Sequence, residues 1–272
     1  KSTLIRHVNR LIEPTSGKII VDGKNILEMS DDELREFRRF RASMVFQKFA
    51  LLPHRTVIKN VAYGLLIQGV KKAEVYERSQ KWIDKVSLNG YENSYPYQLS
   101  GGMQQRVGLA RAMATDAGIL LMDEAFSSLD PLIRSSMQEI LLDFQKELNK
   151  TIIFITHDLN EALRIGDQIS ILRDGEIIQT GSPEDILLGP KDKYISNFIK
   201  DINRGRMLKV SSIMRKNTSI KTPKILDNIS IEDAIPILAS TSEGLAAVVN
   251  KNGNIIGKVS LDLAISVLSS KK

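Results

Sequence analysis

Apolar residues recur along this chain with two periods, and the places where the period changes mark its organisation. Leu4, Val8, Leu11 and Ile12 repeat at helical spacing, which predicts an opening helix with those four on one face that ends at Glu13-Pro14-Thr15-Ser16-Gly17. Lys18–Val21 reads as a strand turned by Asp22-Gly23, and Ser30-Asp31-Asp32-Glu33 as a capping box for a helix carrying Arg35, Arg38 and Arg39. Ala42–Phe46 is a buried strand ending at Gln47. From Pro53 to about Met113 the helical period dominates, which predicts an all-helical lobe set between strands. Alternation then resumes as strand Ile119–Met122, helix Pro131–Leu148, strand Thr151–Thr156 and helix Leu159–Arg164. Asp130 before Pro131 predicts an N-cap with proline at the first helical position. A hairpin follows, Gln168–Leu172 with Glu176–Gln179 around Asp174-Gly175. Strands separated by helices predict an α/β fold whose mainly parallel sheet is covered on both faces.

The pattern changes again at Asn203-Arg204-Gly205-Arg206, and we place a domain boundary there, giving domains 1–205 and 206–272. The second reads as a small α+β module. It has a short strand, a helix near Ile231–Ala239, strands Ala246–Val249 and Ile255–Val259 turned by Asn252-Gly253, and a helix from Leu261. About 65 residues make a small core, so this module is expected to pack on a partner or a second copy.

Composition narrows the chemistry. The absence of cysteine excludes disulfides and thiolate metal sites. His7, His54 and His157 are too scattered to predict a histidine metal cluster. No apolar run approaches the length of a membrane span and no charged-then-apolar leader opens the chain, so it is expected to be soluble and unexported. The net charge of +6 is concentrated: residues 206–272 hold ten Lys+Arg against five Asp+Glu. Such a tail suits an anionic partner or is a solvated lysine-rich surface.

The candidate chemistry lies in short segments that share one theme. Leu99-Ser100-Gly101-Gly102-Met103-Gln104-Gln105-Arg106 is a Ser-Gly-Gly turn opening a helix, where free N–H groups and the helix dipole favour an anion. Ile119–Met122 runs into Asp123-Glu124, two adjacent carboxylates at a strand end that suit a hard Mg²⁺ and a positioned water. Lys1-Ser2-Thr3 at the start of an amphipathic helix looks like the end of G-x-x-x-x-G-K-[ST], with Lys1 for β/γ phosphates and Ser2 for Mg²⁺. Gln47 is either a loop amide or a Mg²⁺ and water contact, and His157 either a loop residue or a contact to a γ-phosphate and the attacking water. Phosphate and metal handling together point to nucleoside-triphosphate chemistry.

Taken in order, Lys1-Ser2-Thr3, Gln47, Leu99–Gln105, Ile119–Glu124, Ser128-Leu129-Asp130 and His157 resemble the motif set of ABC-transporter ATPase subunits, over roughly Lys1 to Ile199. Val45–His54 and Met122–Arg134 resemble, more narrowly, the glycine betaine/proline importer ATPases, and Met103, where most of that superfamily has glutamine, is typical of this branch. The resemblance implies a P-loop NTPase fold and an ATPase coupled to transport, with ATP and Mg²⁺ as cofactors. Implied roles are phosphate binding by Lys1, Ser2 and Thr3, Mg²⁺ ligation by Ser2, Gln47 and Asp123, and catalysis by Glu124, Gln47 and His157. Asp130 is implied as the D-loop aspartate, and Ser100, Gly101 and Gly102 as a signature acting on the ATP of a partner copy.

The implied partners are a second copy, an integral-membrane permease and, indirectly, an extracytoplasmic solute-binding protein, with no nucleic acid. The implied place is the cytoplasmic face of the inner membrane, peripherally attached, and the implied role osmoprotective uptake of quaternary amines. Val210–Met214, Ile235–Leu238, Leu245–Val249, Asn252-Gly253 and Gly257–Leu263 resemble one cystathionine-beta-synthase-type (CBS) motif, although Ser260-Leu261-Asp262 sets the acidic residue one position early. The tail's charge motivates the expectation that it responds to ionic strength.

The glycine half of the phosphate loop, the strand before it and the family's adenine-stacking aromatic are not among these 272 residues, so we expect an N-terminally truncated chain that binds ATP weakly. Competing expectations are an importer ATPase for amino acids or polyamines, a non-catalytic remnant, and a soluble ABC protein of translation or DNA repair.

Overall fold

In a computed structural model of the chain, which describes all residues but Lys48, Asn149, 217–222 and 270–272, two units separate at His157/Asp158. Lys48 of the Val45–His54 stretch and Lys221, Lys271 and Lys272 of the basic tail thus lie outside the described residues.

The first unit opens with α1 (Ser2–Val8) and the hairpin β1 (Ile20–Val21) and β2 (Lys24–Asn25), which Asp22 and Gly23 turn with φ of 49° and 79°. The expected capping box starts α2 (Asp31–Glu36): Glu33 N donates to Ser30 Oγ at 3.3 Å and Ser30 N to Glu33 Oε2 at 2.9 Å. One π-turn, Phe37–Arg41, then leads into β3 (Ala42–Val45). The helical lobe follows as α3 (Val57–Ile67), α4 (Lys72–Lys85) and α5 (Gly101–Ala114), and the chain returns through β4 (Ile119–Asp123), α6 (Pro131–Leu148) and β5 (Thr151–Ile155). Asp130 caps α6, its Oδ1 accepting from Ile133 N at 3.0 Å.

The sheet order β3-β4-β5 is parallel throughout, with Val45 opposite Met122 and Asp123 opposite Ile155. The central strand carries the unbroken apolar run because both of its faces are covered: Leu120, Leu121, Met122 and Asp123 are all buried.

The opening helix departs from the sequence pattern. It stops at Val8, and its buried residue is Ile5, while Leu4, Leu11 and Ile12 are 49%, 47% and 36% exposed. Arg10 takes a left-handed φ of 52°, and Arg38 donates to the carbonyls of Asn9 (2.9 Å) and Arg10 (2.7 Å), so distant side-chain bonds end the helix before its apolar period does.

The second unit contains α7 (Leu159–Ile165), the antiparallel hairpin β6 (Ile169–Arg173) and β7 (Glu176–Gly181), α8 (Pro183–Leu188), α9 (Lys193–Phe198), α10 (Arg204–Met207) and α11 (Val210–Ile213). It ends with β8 (Lys224–Leu226), α12 (Ile231–Ala239), β9 (Leu245–Val249), β10 (Ile255–Ser260) and α13 (Leu261–Ser269), the strands ordered β10-β9-β8. One apolar cluster joins Leu163, Ile186 and Ile195 to Leu208, Ile231, Val248 and Ala264.

Candidate active site

The three parallel strands end side by side, and each delivers one polar side chain just past its last residue. Gln47 stands two positions beyond β3, Glu124 directly beyond β4, and His157 two beyond β5. The carboxyl edge of a parallel sheet is the usual place for a ligand, because the strands stop there and the loops diverge. Gln47 Nε2 donates to Glu124 Oε2 at 2.9 Å, and His157 Nδ1 lies 3.4 Å from Glu124 Oε1. Residues far apart in sequence thus meet on one carboxylate.

Glu124 is fixed by its own backbone. It leaves β4 with φ of 49°, a left-handed conformation that costs a side-chain-bearing residue about 1–2 kcal/mol. Its N–H donates to Ile155 O at 2.9 Å, and its carbonyl accepts from Ser127 N (3.2 Å), Ser127 Oγ (3.0 Å) and Gln105 Nε2 (3.2 Å). Surrounding bonds over-determine the strained turn, as sites that hold a side chain in one direction require.

Asp123 sits one residue earlier and is fully buried. Its Oδ1 accepts from Ser2 Oγ at 2.8 Å. Its Oδ2 lies 3.6 Å from an Arg6 guanidinium nitrogen and, among the described residues, has no hydrogen bond. A buried carboxylate oxygen without a donor is costly unless a cation completes it. A hydroxyl and a carboxylate are hard oxygen donors, the set Mg²⁺ takes while leaving its other positions to phosphate and water. The residues present therefore fit Mg²⁺. Lys1 Nζ, at 2.9 Å from Thr156 O, brings a positive charge to the same edge. Lys1, Ser2, Gln47, Asp123, Glu124 and His157 are thus brought together, whereas Thr3 is exposed and its side chain joins none of these contacts.

Ser100 caps α5, its Oγ accepting from Met103 N at 3.3 Å, and leaves Ser100 and Gly101 exposed. Gly102 faces Leu129 and the Ser128 carbonyl at ordinary contact distance. Two residues of this helix had no role in the motif reading, Gln105 at the end of the Leu99–Gln105 motif and Arg111 beyond it. Gln105 is fully buried and bridges Glu124 O to Ser128, whose N–H donates to Gln105 Oε1 at 3.2 Å. Arg111 donates to Ala50 O at 2.7 Å and Phe49 O at 2.9 Å, and burial pulls its guanidinium below the usual arginine range. A buried glutamine and an arginine on a helix carry no signal in one sequence that separates them from surface residues.

Residues 1–127 match the family model described as ABC transporter. The glycine betaine transport ATP-binding protein OpuAA of Bacillus subtilis is 55% identical over 82% of this chain and 54% of its own length. The glycine betaine/proline betaine transport system ATP-binding protein ProV of Escherichia coli is 42% identical over 100% of this chain and 68% of its own. The chain therefore spans only about half the length of OpuAA. Among solved structures, the dimeric ABC transporter cassette MJ0796 is similar with a TM-score of 0.64 and 33% identity, over 67% of this chain and 80% of that one. A second structure of that cassette is a post-hydrolysis dimer bound to ADP and Pi. With the strand-edge cluster, the capped Ser-Gly-Gly helix and these matches agreeing, the chain belongs to the ABC transporter family.

Proposed function

We propose that this chain is the ATP-hydrolysing subunit of an importer that takes up glycine betaine, proline betaine or a related quaternary amine. The observation that carries the hydrolytic half is the shared carboxylate of Glu124, met by Gln47 and His157 beside a buried Asp123 whose Oδ2 has no hydrogen bond among the described residues and lies 3.6 Å from Arg6. The solute class rests on the relatives named above.

In this reading Lys1 and Ser2 engage the phosphates, and Ser2 and Asp123, with Gln47, hold Mg²⁺. Bound there, Mg²⁺ neutralises charge on the β and γ phosphates. Glu124 orients the attacking water and accepts its proton, while Gln47 and His157 hold that carboxylate and water in line. Attack on the γ-phosphorus breaks the bond to ADP and releases phosphate. Ser100, Gly101 and Gly102 act across a homodimer on the nucleotide of the other copy, with Asp130 beside that boundary. Among the described residues no helix is long and apolar enough to cross a membrane, which suits a subunit held to the membrane by a permease. Residues 206–272 form a regulatory, CBS-like part.

The test is uptake into vesicles containing the assembled transporter, with ATP inside the compartment this subunit faces. ATP-dependent accumulation of labelled glycine betaine, displaced by proline betaine and untouched by histidine or spermidine, is expected. Displacement by an amino acid or a polyamine instead would overturn the solute class.

A further inference from the structure

The helix that presents Ser100–Gly102 also reaches the loop of Gln47, through Arg111. Phe49 and Ala50 stand two and three residues past Gln47, with φ of 52° and 48°. Consecutive non-glycine residues in the left-handed region do not persist without an external hold. Both of their carbonyls accept from the Arg111 guanidinium, at 2.9 and 2.7 Å. The Phe49 carbonyl also lies against α5 at Gly108, where a Cβ would approach it to 3.7 Å, and a Cβ added at Gly101 would meet the Phe49 ring at 4.0 Å. A planar guanidinium can serve two carbonyls at once in a fixed fork, which a lysine ammonium, a point charge on a flexible stem, does less well.

We propose that Arg111 is a positioning residue for hydrolysis: it holds the Phe49–Ala50 turn, and through that turn keeps the Gln47 amide against Glu124. The helix facing the partner's nucleotide then also sets the loop that serves this copy's own nucleotide. The hydrolytic part of this inference rests on the reading of Gln47 and Glu124 given above, whereas the clamp itself does not.

Two measurements on the full chain test it. Phe49 N donates to Phe46 O at 3.1 Å, whereas Leu52 N is held independently by Asn60 Oδ1 at 2.8 Å. In Arg111→Gln, amide exchange at Phe49 is expected to accelerate about tenfold or more with Leu52 and the β3-β4-β5 sheet unchanged, and Arg111→Lys falls between. In ATP hydrolysis, Arg111→Gln is expected to lower kcat about tenfold with KM unchanged, and to lower it less than about twofold in a Gln47→Ala background. Unchanged exchange at Phe49, or acceleration spread evenly through the sheet, overturns the clamp. An equal kcat loss with and without Gln47 overturns its action through Gln47. If the wild-type assembly hydrolyses no ATP, the hydrolytic reading fails while the exchange data still decide the clamp.

Discussion

Gln47 and Glu124, 77 residues apart, share a hydrogen bond of 2.9 Å at the carboxyl edge of the parallel sheet. The bond sets the direction of a carboxylate whose other oxygen faces His157. Replacing Glu124 by glutamine keeps the shape and removes the proton acceptor of the proposed mechanism. In the assembled transporter, Glu124→Gln is expected to lower kcat by about 10²–10⁴-fold while ATP affinity stays near wild type. Single-turnover hydrolysis and equilibrium nucleotide binding separate the two quantities.

Ser2 Oγ is the hydrogen-bond donor to buried Asp123. Ser2→Ala leaves that oxygen buried and unmet, at a cost of about 1–3 kcal/mol, whereas Ser2→Thr retains the hydroxyl. Chemical denaturation without nucleotide checks this, and equal stability of the two variants would sink it.

Gly64 on α3 faces Thr115 at the end of α5 so closely that an added Cβ would come within 2.4 Å of Thr115 Cγ2. Gly64→Ala is therefore expected to destabilise by about 1–3 kcal/mol through overpacking. Adding Thr115→Ser, which removes the clashing methyl and keeps the hydroxyl bonded to Ala112 O at 2.8 Å, is expected to restore most of the loss. Melting temperatures of the single and double variants decide the point.

The carboxylates of Glu33 and Asp185 are held below their ordinary range by backbone and side-chain hydrogen bonds from Ser30 and Ser182, the caps of α2 and α8. Their folded forms prefer the charged state, so their contribution is fully present above the ordinary carboxylate range. It is lost as pH falls through the lowered folded values. Thermal unfolding of Asp185→Asn between pH 7 and pH 3 is expected to show a shallower acid loss than wild type.

Lys209, Lys224 and Lys251 are exposed in the basic tail, whose apolar residues share one cluster with Leu163 and Ile186, so deletion would strip a core. Substitution is the cleaner test of an ionic-strength response. Changing these three lysines to glutamine is expected to flatten the salt dependence of transport, since salt screens such charges within about 10 Å at 0.1 M. An unaltered salt profile in reconstituted vesicles counts against the tail as sensor.

Much of the framework was legible because its signals are local. The capping box at Ser30, the Asp130 cap of α6, the Asp22-Gly23 and Asp174-Gly175 turns and the apolar run before Asp123 each depend on neighbours within a few residues. Strand–helix alternation sufficed for a parallel sheet. The opening helix misled because its end is set by Arg38, 28 residues after Arg10, and its period alone does not say which face meets the sheet.

From the sequence come the types of group gathered here: a lysine and hydroxyl at a helix start, paired carboxylates ending a buried strand, a glutamine and a histidine past two others. Their meeting was decided by tertiary structure, because the register of β3, β4 and β5 alone puts Gln47, Glu124 and His157 at one edge. The left-handed backbone of Phe49, Ala50 and Glu124 likewise takes hydrogen bonds from Arg111 and Gln105 on another helix, and no local pattern specifies a bond that closes across so many residues.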